Sequence, residues 1–410
     1  MLDIKFIREN KELVAKAAKD KGVKVDIDEV LEVDKDVGVL NTVKQKLQEE
    51  RNKIAQEKNI EKGKKIKQQL SALEKELTPL EKDLEKLLLE IPNPAKPDVK
   101  VGKDETENEV IRKVGTPRKF NFTPKDHLAL GEALDVIDVE RAGKISGTRF
   151  YFLKNEGALL EFALRQLAFE TLLKENFTPV IPPVLIKTDI MKGLGYTEHG
   201  GIEDMYVLEK DDLVLVGTSE QSIVAMHKDE ALSVKDLPKR YVGFSTCFRR
   251  EAGSYGKDTR GIIRAHQFDK VEMVSFVRQG EDDKEHEYLL SLEEKLLTLL
   301  ELPYQVVKMV TGDLGFPTAR KYDLEVWIVS ERKYREMTST STTTDFQARR
   351  LNIKYQDGGD KKFVSILNGT AFSTRPIVAI LENFQEKDGS VNVPKALHKY
   401  LDFTKITPKK

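Results

Sequence analysis

At 410 residues the chain exceeds one average domain, so two domains are the starting expectation. Hydrophobic residues at 39% can fill a core, while 33% charged residues point to long exposed helices. Lys+Arg 68 against Asp+Glu 69 gives a net charge of -1, which excludes a globally basic nucleic-acid binder and makes any such surface local. The single cysteine, Cys247, excludes an intrachain disulfide and a multi-cysteine zinc site. No apolar run is long enough to span a bilayer, and MLDIKFIREN lacks a signal-peptide core, so a cytoplasmic protein without a membrane partner is expected.

Residues 3–21 read as a short amphipathic helix, with Ile4, Ile7, Val14 and Ala18 on one side and Gly22 as its stop. Asp26 followed by Glu29 predicts a capping box for the next helix. Leu40, Val43, Leu47 and Ile54 then follow a heptad seam. After a polar break containing Gly63, Ile66, Leu70, Leu73, Leu77, Leu80, Leu84 and Leu87 make a second one. Two seams with a turn between them predict an antiparallel coiled-coil hairpin. Pro79 sits inside the second seam, so a kink is expected there, with Thr78 capping a restarted helix. From Arg51 to Lys67 the hairpin tip is basic, with Arg51, Lys53, Lys58, Lys62, Lys64, Lys65 and Lys67 opposed only by Glu57 and Glu61. Such a run either meets phosphates or is a solvated flank, and the run by itself favours the flank.

Residues 91–110 are Pro-rich and polar and read as a linker, dividing the chain into an arm domain at 1–100 and a body at 101–410. Helices are expected over 124–142, 157–177, 282–300 and 374–384. The second runs into TPVIPPVLI, whose Pro182-Pro183 pair confines it to a sheet edge; an oligomer interface and a plain edge both suit it. MYVLEKDDLVLVGTSE predicts a hairpin turning at Asp211-Asp212. Strands joined by hairpins rather than βαβ crossovers give the fold class as α+β, an antiparallel sheet flanked by helices.

Tyr241–Phe276 reads as a long hairpin whose connection carries Gly253, Gly256 and Gly261. Alternation puts Arg249 and Glu251 on one face, and Arg264, His266, Phe268, Lys270 and Glu272 on one face of the second strand. Two arginines, two carboxylates and a phenylalanine suit a polyphosphate, a flat ring and an ammonium, although on charges alone a solvated ladder is the better reading. There is no Walker loop, no GxGxxG after a strand, no HExxH and no GxSxG elbow. Cys247 reads as a buried small hydrophobe, and His266 as a structural hydrogen-bonding residue.

FRREAGSYGKDTRGIIRAHQFDKVE resembles the second signature of class II aminoacyl-tRNA synthetases in the form used by seryl-tRNA synthetases. The coiled-coil arm, VIPP, GTSEQ, KYDLEVW, EMTSTST, DFQARR, LNGT and ILENFQ extend the resemblance over nearly the whole chain in the same order. The resemblance implies a class II catalytic body, and an arm that grips tRNA through Lys62, Lys64, Lys65 and Lys67. It implies a serine–tRNA ligase acting on L-serine, ATP and tRNA(Ser), with tRNA(Sec) left open as a second acceptor. A homodimer built on the helix and strand around Pro183 is implied as well. Arg249 with Glu251 would hold the ATP α-phosphate, Phe268 would stack on adenine, and Arg375 would hold the γ-phosphate. Arg250, Arg264, Glu336, Met337, Thr338 and Ser339 complete the implied ATP site, with Glu336 and Ser339 on Mg2+. Thr218, Ser219 and Glu220, as a closing loop, together with Glu272 and Thr370, would take serine. Competing expectations are an inactive RNA-binding relative, an amino-acid:carrier-protein ligase, and a class II synthetase for another amino acid. The connection Ala252–Gly261 is expected to be a mobile loop near the tRNA end.

Overall fold

The computed structural model describes residues 1–57, 59–198, 201–252 and 261–409. They form two compact units, Met1–Pro94 and Ala95–Lys410. Among the described residues no helix is long and apolar enough to cross a membrane.

In the first unit the helix expected over 3–21 is two, Ile4–Glu9 and Lys11–Asp20. The chain breaks at Asn10, whose side-chain amide donates back to the Phe6 carbonyl at 3.0 Å. Ile7, Val14 and Ala18 are buried as the pattern predicts, and Gly22 closes the second helix at φ 70°, where a Cβ would be penalised. Asp26 Oδ1 accepts from the N–H groups of Asp28 and Glu29 at 2.9 and 3.1 Å and so opens α1, Ile27–Glu57. Its partner α2, Ile60–Leu89, is capped by Asn59, which puts Gly63 inside the first turn and not in the break. The two helices meet through Leu47, Ile54, Ile66 and Leu70. The restarted helix expected at Thr78 is absent, because α2 runs unbroken through Pro79. An interior proline costs about 3 kcal/mol. Burial of Leu77 and Leu88 on either side of Pro79 offsets a cost of that size, at about 2 kcal/mol each.

The second unit is built on an eight-stranded sheet. Its strands are β1 (Glu109–Val114), β2 (Thr178–Val180), β3 (Lys239–Phe248), β4 (Gln267–Val277), β5 (Tyr304–Lys308), β6 (Arg320–Ile328), β7 (Lys333–Thr344) and β8 (Ser365–Ser373). The order is β1-β5-β6-β7-β8-β4-β3-β2. All neighbours are antiparallel except β2, which pairs parallel with β3 at the edge where Pro182-Pro183 follows. Strand β1 comes from the end of the stretch expected to be linker. The helix expected over 124–142 is also two, His127–Ala133 and Val139–Ser146, since Asp135 turns to φ 57° and Asp138 caps the second piece through the Arg141 N–H at 2.9 Å.

Helices α3 (Asn155–Leu173), α4 (Ser219–Ala225), α5 (Asp282–Leu299) and α6 (Arg375–Asn383) frame the sheet. Alternation along β4 sorts its side chains between two cores. Val271, Met273 and Val277 pack with Leu164, Leu296 and Ile377 on the helical side. Val274 and Phe276 face the other way and join Tyr241, Ile223 and Ile366 in a second core. The hairpin Tyr206–Leu208 and Leu213–Leu215 turns at Asp211-Asp212 as expected, with Leu185–Lys187 added as a third strand. Helix α4 reaches β3 only because Gly243 has no side chain: a Cβ there would stand 2.3 Å from Ile223 Cδ1.

Candidate active site

The hairpin ends its regular pairing earlier than alternation predicts. Strand β3 stops at Phe248, so Arg249 and Arg250 lie beyond the ladder, and Glu251 takes a left-handed φ of 54°. Such a conformation in a carboxylate residue costs free energy and marks a position held by its surroundings. Two reciprocal contacts fix the corner: Arg249 N–H donates to the His266 carbonyl at 3.0 Å, and His266 Nδ1 lies 3.0 Å from the Arg249 carbonyl. His266 thus has the structural role its sequence context suggested. Of the connection expected to be mobile, residues 253–260 lie outside the described residues.

Arg249 and Arg264 nevertheless meet the other expected groups in one cleft of about 240 Å³. Glu251, Phe268, Glu336, Met337 and Ser339 line it, together with Thr370 and Arg375. Arg249 Nε donates to the Gly217 carbonyl at 3.3 Å, and its guanidinium stands 5.3 Å from the centre of the Phe268 ring. Arg264 pairs with Glu251 at 2.9 Å. Arg375, the first residue of α6, donates to the carbonyls of Ile263 and Glu336, each at 3.1 Å, and its Nη1 lies 3.2 Å from Glu336 Oε1. Desolvation raises the Glu336 carboxyl, but Arg375, Lys321 and Arg249 outweigh it and hold it at about 2. Lys321 was not singled out from sequence. It lies within KYDLEVW on β6, lines the cleft, and sits 3.0 Å from Asp323 Oδ1.

Next to the cleft-lining Lys270 and Thr370 lies a buried acidic cluster. Thr218 caps α4, its Oγ1 accepting from the Glu220 N–H at 3.4 Å, so the expected closing loop is a helix start, with Ser219 and Glu220 buried in the first turn. Glu220 accepts from Tyr196 Oη at 2.8 Å and Gln347 Nε2 at 3.3 Å. On β4, Glu272 stands opposite Thr370 in register and is paired with Lys270 Nζ at 2.6 Å; the same ammonium donates to Thr218 Oγ1 at 3.3 Å. Burial raises both Glu220 and Glu272. For Glu220 the charge of Glu272 adds to the rise, whereas Lys270 works against it at Glu272.

Six expected ATP or serine residues, Thr218, Ser219, Glu220, Arg250, Glu272 and Thr338, are not among those lining the cleft. Thr338 points beneath the sheet, its hydroxyl donating to Glu293 on α5 at 3.0 Å. Arg250 donates to the Met205 carbonyl at 2.8 Å and stacks 5.0 Å from the Tyr206 ring centre. Ser219 is buried against Gly243. Strand alternation accounts for Thr338, which lies between the cleft-lining Met337 and Ser339. Tyr196, Lys270, Gln347 and Glu293 were missed as site residues. Lys270 carried a signal in its place in the even-numbered row of β4, and Gln347 in its place within DFQARR.

Among the described residues no group of three or more His, Cys, Asp or Glu could hold a metal. Glu336 and Ser339 offer one ionised carboxylate and one hydroxyl, a donor set that suits Mg2+ carried by phosphates with its remaining positions filled by water.

A sheet of this order, with a hairpin arginine and a helix-start arginine on one cleft, is the catalytic body of a class II aminoacyl-tRNA synthetase. The model of the tRNA synthetase class II core domain (G, H, P, S and T) matches residues 206–384, and that of the seryl-tRNA synthetase N-terminal domain matches residues 1–95. The chain is 44% identical to the serine–tRNA ligase of Dictyoglomus thermophilum over the full length of both. It is 54% identical to that of Thermobifida fusca across 77% of this chain and 74% of that protein. The crystal structure of seryl-tRNA synthetase from Pyrococcus horikoshii complexed with ATP superposes with a TM-score of 0.93 at 40% identity, covering all of both chains. The chain belongs to the seryl-tRNA synthetase family.

Proposed function

We propose that the protein joins L-serine to tRNA(Ser) in two steps, and that the cleft and the acidic cluster beside it hold ATP and serine side by side. The observation that carries this is the convergence of Arg249 and Arg375 on one cleft whose lining residues Lys270 and Thr370 adjoin the buried carboxylate Glu272, with Glu220 buried close behind. In the first step the serine carboxylate attacks the α-phosphorus of ATP and pyrophosphate leaves. In the second the seryl group passes to the terminal ribose of tRNA. Neither step requires a protein nucleophile, in keeping with a buried Cys247 whose thiol is raised by desolvation. Arg249 neutralises charge developing on the α-phosphate, Arg375 holds the far phosphate, and Phe268 offers its ring to adenine. Mg2+, when bound at Glu336 and Ser339, would supply further charge neutralisation on the phosphates. Glu220, Glu272, Thr218 and Thr370 receive the serine ammonium and hydroxyl. An inactive relative is disfavoured, since the arginines and the carboxylates are all in place.

The division of labour between residues 1–100 and 101–410 belongs to the same proposal. Lys62, Lys64, Lys65 and Lys67 are exposed around the buried Ile66, as phosphate contacts for tRNA require, while Lys58 lies outside the described residues. A homodimer is proposed from the apolar surface that α3 leaves exposed at Leu159, Phe162 and Leu173, close in sequence to edge strand β2 and the 85% exposed Ile181. The proposed place of work is the cytoplasm, which holds ATP, amino acids and tRNA together.

Pyrophosphate exchange measured across the amino acids tests the assignment: serine alone should drive it efficiently, and equal exchange with another amino acid would overturn it. Replacing the four arm lysines by alanine should leave exchange intact while weakening tRNA charging and reducing its salt slope by about 3. Parallel loss of exchange and charging would remove the arm from tRNA binding.

A further inference from the structure

The buried acidic cluster beside the cleft contains a cation of its own. Lys270 is 8% exposed, and its ammonium touches Glu272 and Thr218, two of the groups proposed to receive serine. Every other charged or titratable group facing this pocket can be given a charge state. Glu220, from α4, and Glu272 are carboxylates buried together, so each disfavours ionisation of the other in a site shielded from water. Glu293 lies beneath the sheet on α5, its carboxyl pushed well above the usual carboxylate range by burial, with Glu272 adding to the rise. Tyr196 is a neutral phenol donating to Glu220, and Cys247 a neutral buried thiol. Arg249 is turned to the Gly217 carbonyl at the phosphate end.

We propose that Lys270 is a charge-matching positioning residue for amino-acid binding: it keeps Glu272 ionised and oriented, and leaves the pocket one net negative charge for one incoming ammonium. The proposal rests on the serine site assigned above. With Glu220 and Glu272 both ionised, Lys270 leaves them one net negative charge, which a bound serine ammonium brings to neutrality inside a buried volume. Without the lysine, burial and the neighbouring Glu220 would drive Glu272 to hold a proton and lose its acceptor character. Lys270 accounts for both of the leading influences that oppose burial at Glu272.

The sign of the pH effect follows. A carboxyl whose pKa is raised further loses its charge as pH falls, so serine binding by a Lys270→Met variant should weaken toward low pH and recover toward high pH. In pyrophosphate exchange between about pH 6 and about pH 8, the variant's serine KM should exceed that of the unmodified enzyme by about tenfold at the acid end and approach it at the alkaline end. Its ATP KM should stay within about twofold at both ends. Lys270→Arg, which keeps the charge, should restore a flat pH profile of serine KM even where KM itself stays high. Tighter serine binding by Lys270→Met would instead make Lys270 a competitor that serine displaces, and would overturn the proposal. So would a pH-independent loss shared by serine and ATP. Should Lys270→Met fail to fold, a serine KM in Lys270→Arg that rises as pH falls decides against charge matching, and a flat one supports it. Failure of the serine assignment has a separate signature, the absence of serine-dependent exchange in the unmodified enzyme.

Discussion

Arg249→Ala is expected to lower serine-dependent pyrophosphate exchange about 10²–10³-fold, chiefly in kcat. The proposed first step builds negative charge on the α-phosphate as the serine carboxylate attacks. Arg249 holds its guanidinium between the Gly217 carbonyl and the Phe268 ring. Its backbone is tied on both sides to His266, so the side chain starts from a fixed corner and little ordering remains to be done when ATP enters. Lysine should rescue poorly, because a point charge on a flexible stem cannot reproduce a planar fork. Exchange kinetics across ATP and serine concentrations check this. Retention of more than about a tenth of the rate by Arg249→Ala would move the α-phosphate contact elsewhere, with Arg264 the next candidate in the cleft.

Glu272→Ala should raise serine KM about 10²–10³-fold and leave ATP KM nearly unchanged. The substitution removes the acceptor and also strands the Lys270 ammonium in a buried site, so the loss contains a desolvation part as well as a lost contact. Thr370→Ala, opposite Glu272 in register, should cost less in serine KM but erode discrimination between serine and alanine, because a site built to bond a hydroxyl rejects a substrate that lacks one. Steady-state KM values for the two substrates, with alanine as competitor, separate these effects. If ATP KM rises as much as serine KM in Glu272→Ala, the acidic cluster is not the amino-acid pocket.

Local signals in the chain carried the arm, the main hairpin and most strands of the body, because heptad and period-two patterns depend on neighbours close in sequence. Their limits were local too. Asn10 and Asp135 each divide a helix that an apolar pattern spans, and neither residue type forces a break by itself. Pro79 shows the opposite failure: a strong local breaker is overridden by burial of Leu77 and Leu88 on either side. In the cleft, residue types were legible while directions were not. Thr338 turns under the sheet because of strand parity, and Arg250 turns away because the ladder stops at Phe248. Glu293 and Tyr196 join the site through contacts between distant segments, for which the sequence carries no short-range mark.

Strand β4 runs from the cleft into the second core, so one row of side chains begins with Phe268, Lys270 and Glu272 and ends with Val274 and Phe276. The residues proposed to meet substrate and those that build the core therefore share one parity. A one-residue slip would bury the charged row against helices and turn Met273 and Val271 toward the cleft, failing on both counts at once. The proposed site inherits its accuracy from the cooperativity of the fold: a chain that has found its core has already aligned the groups of its cleft.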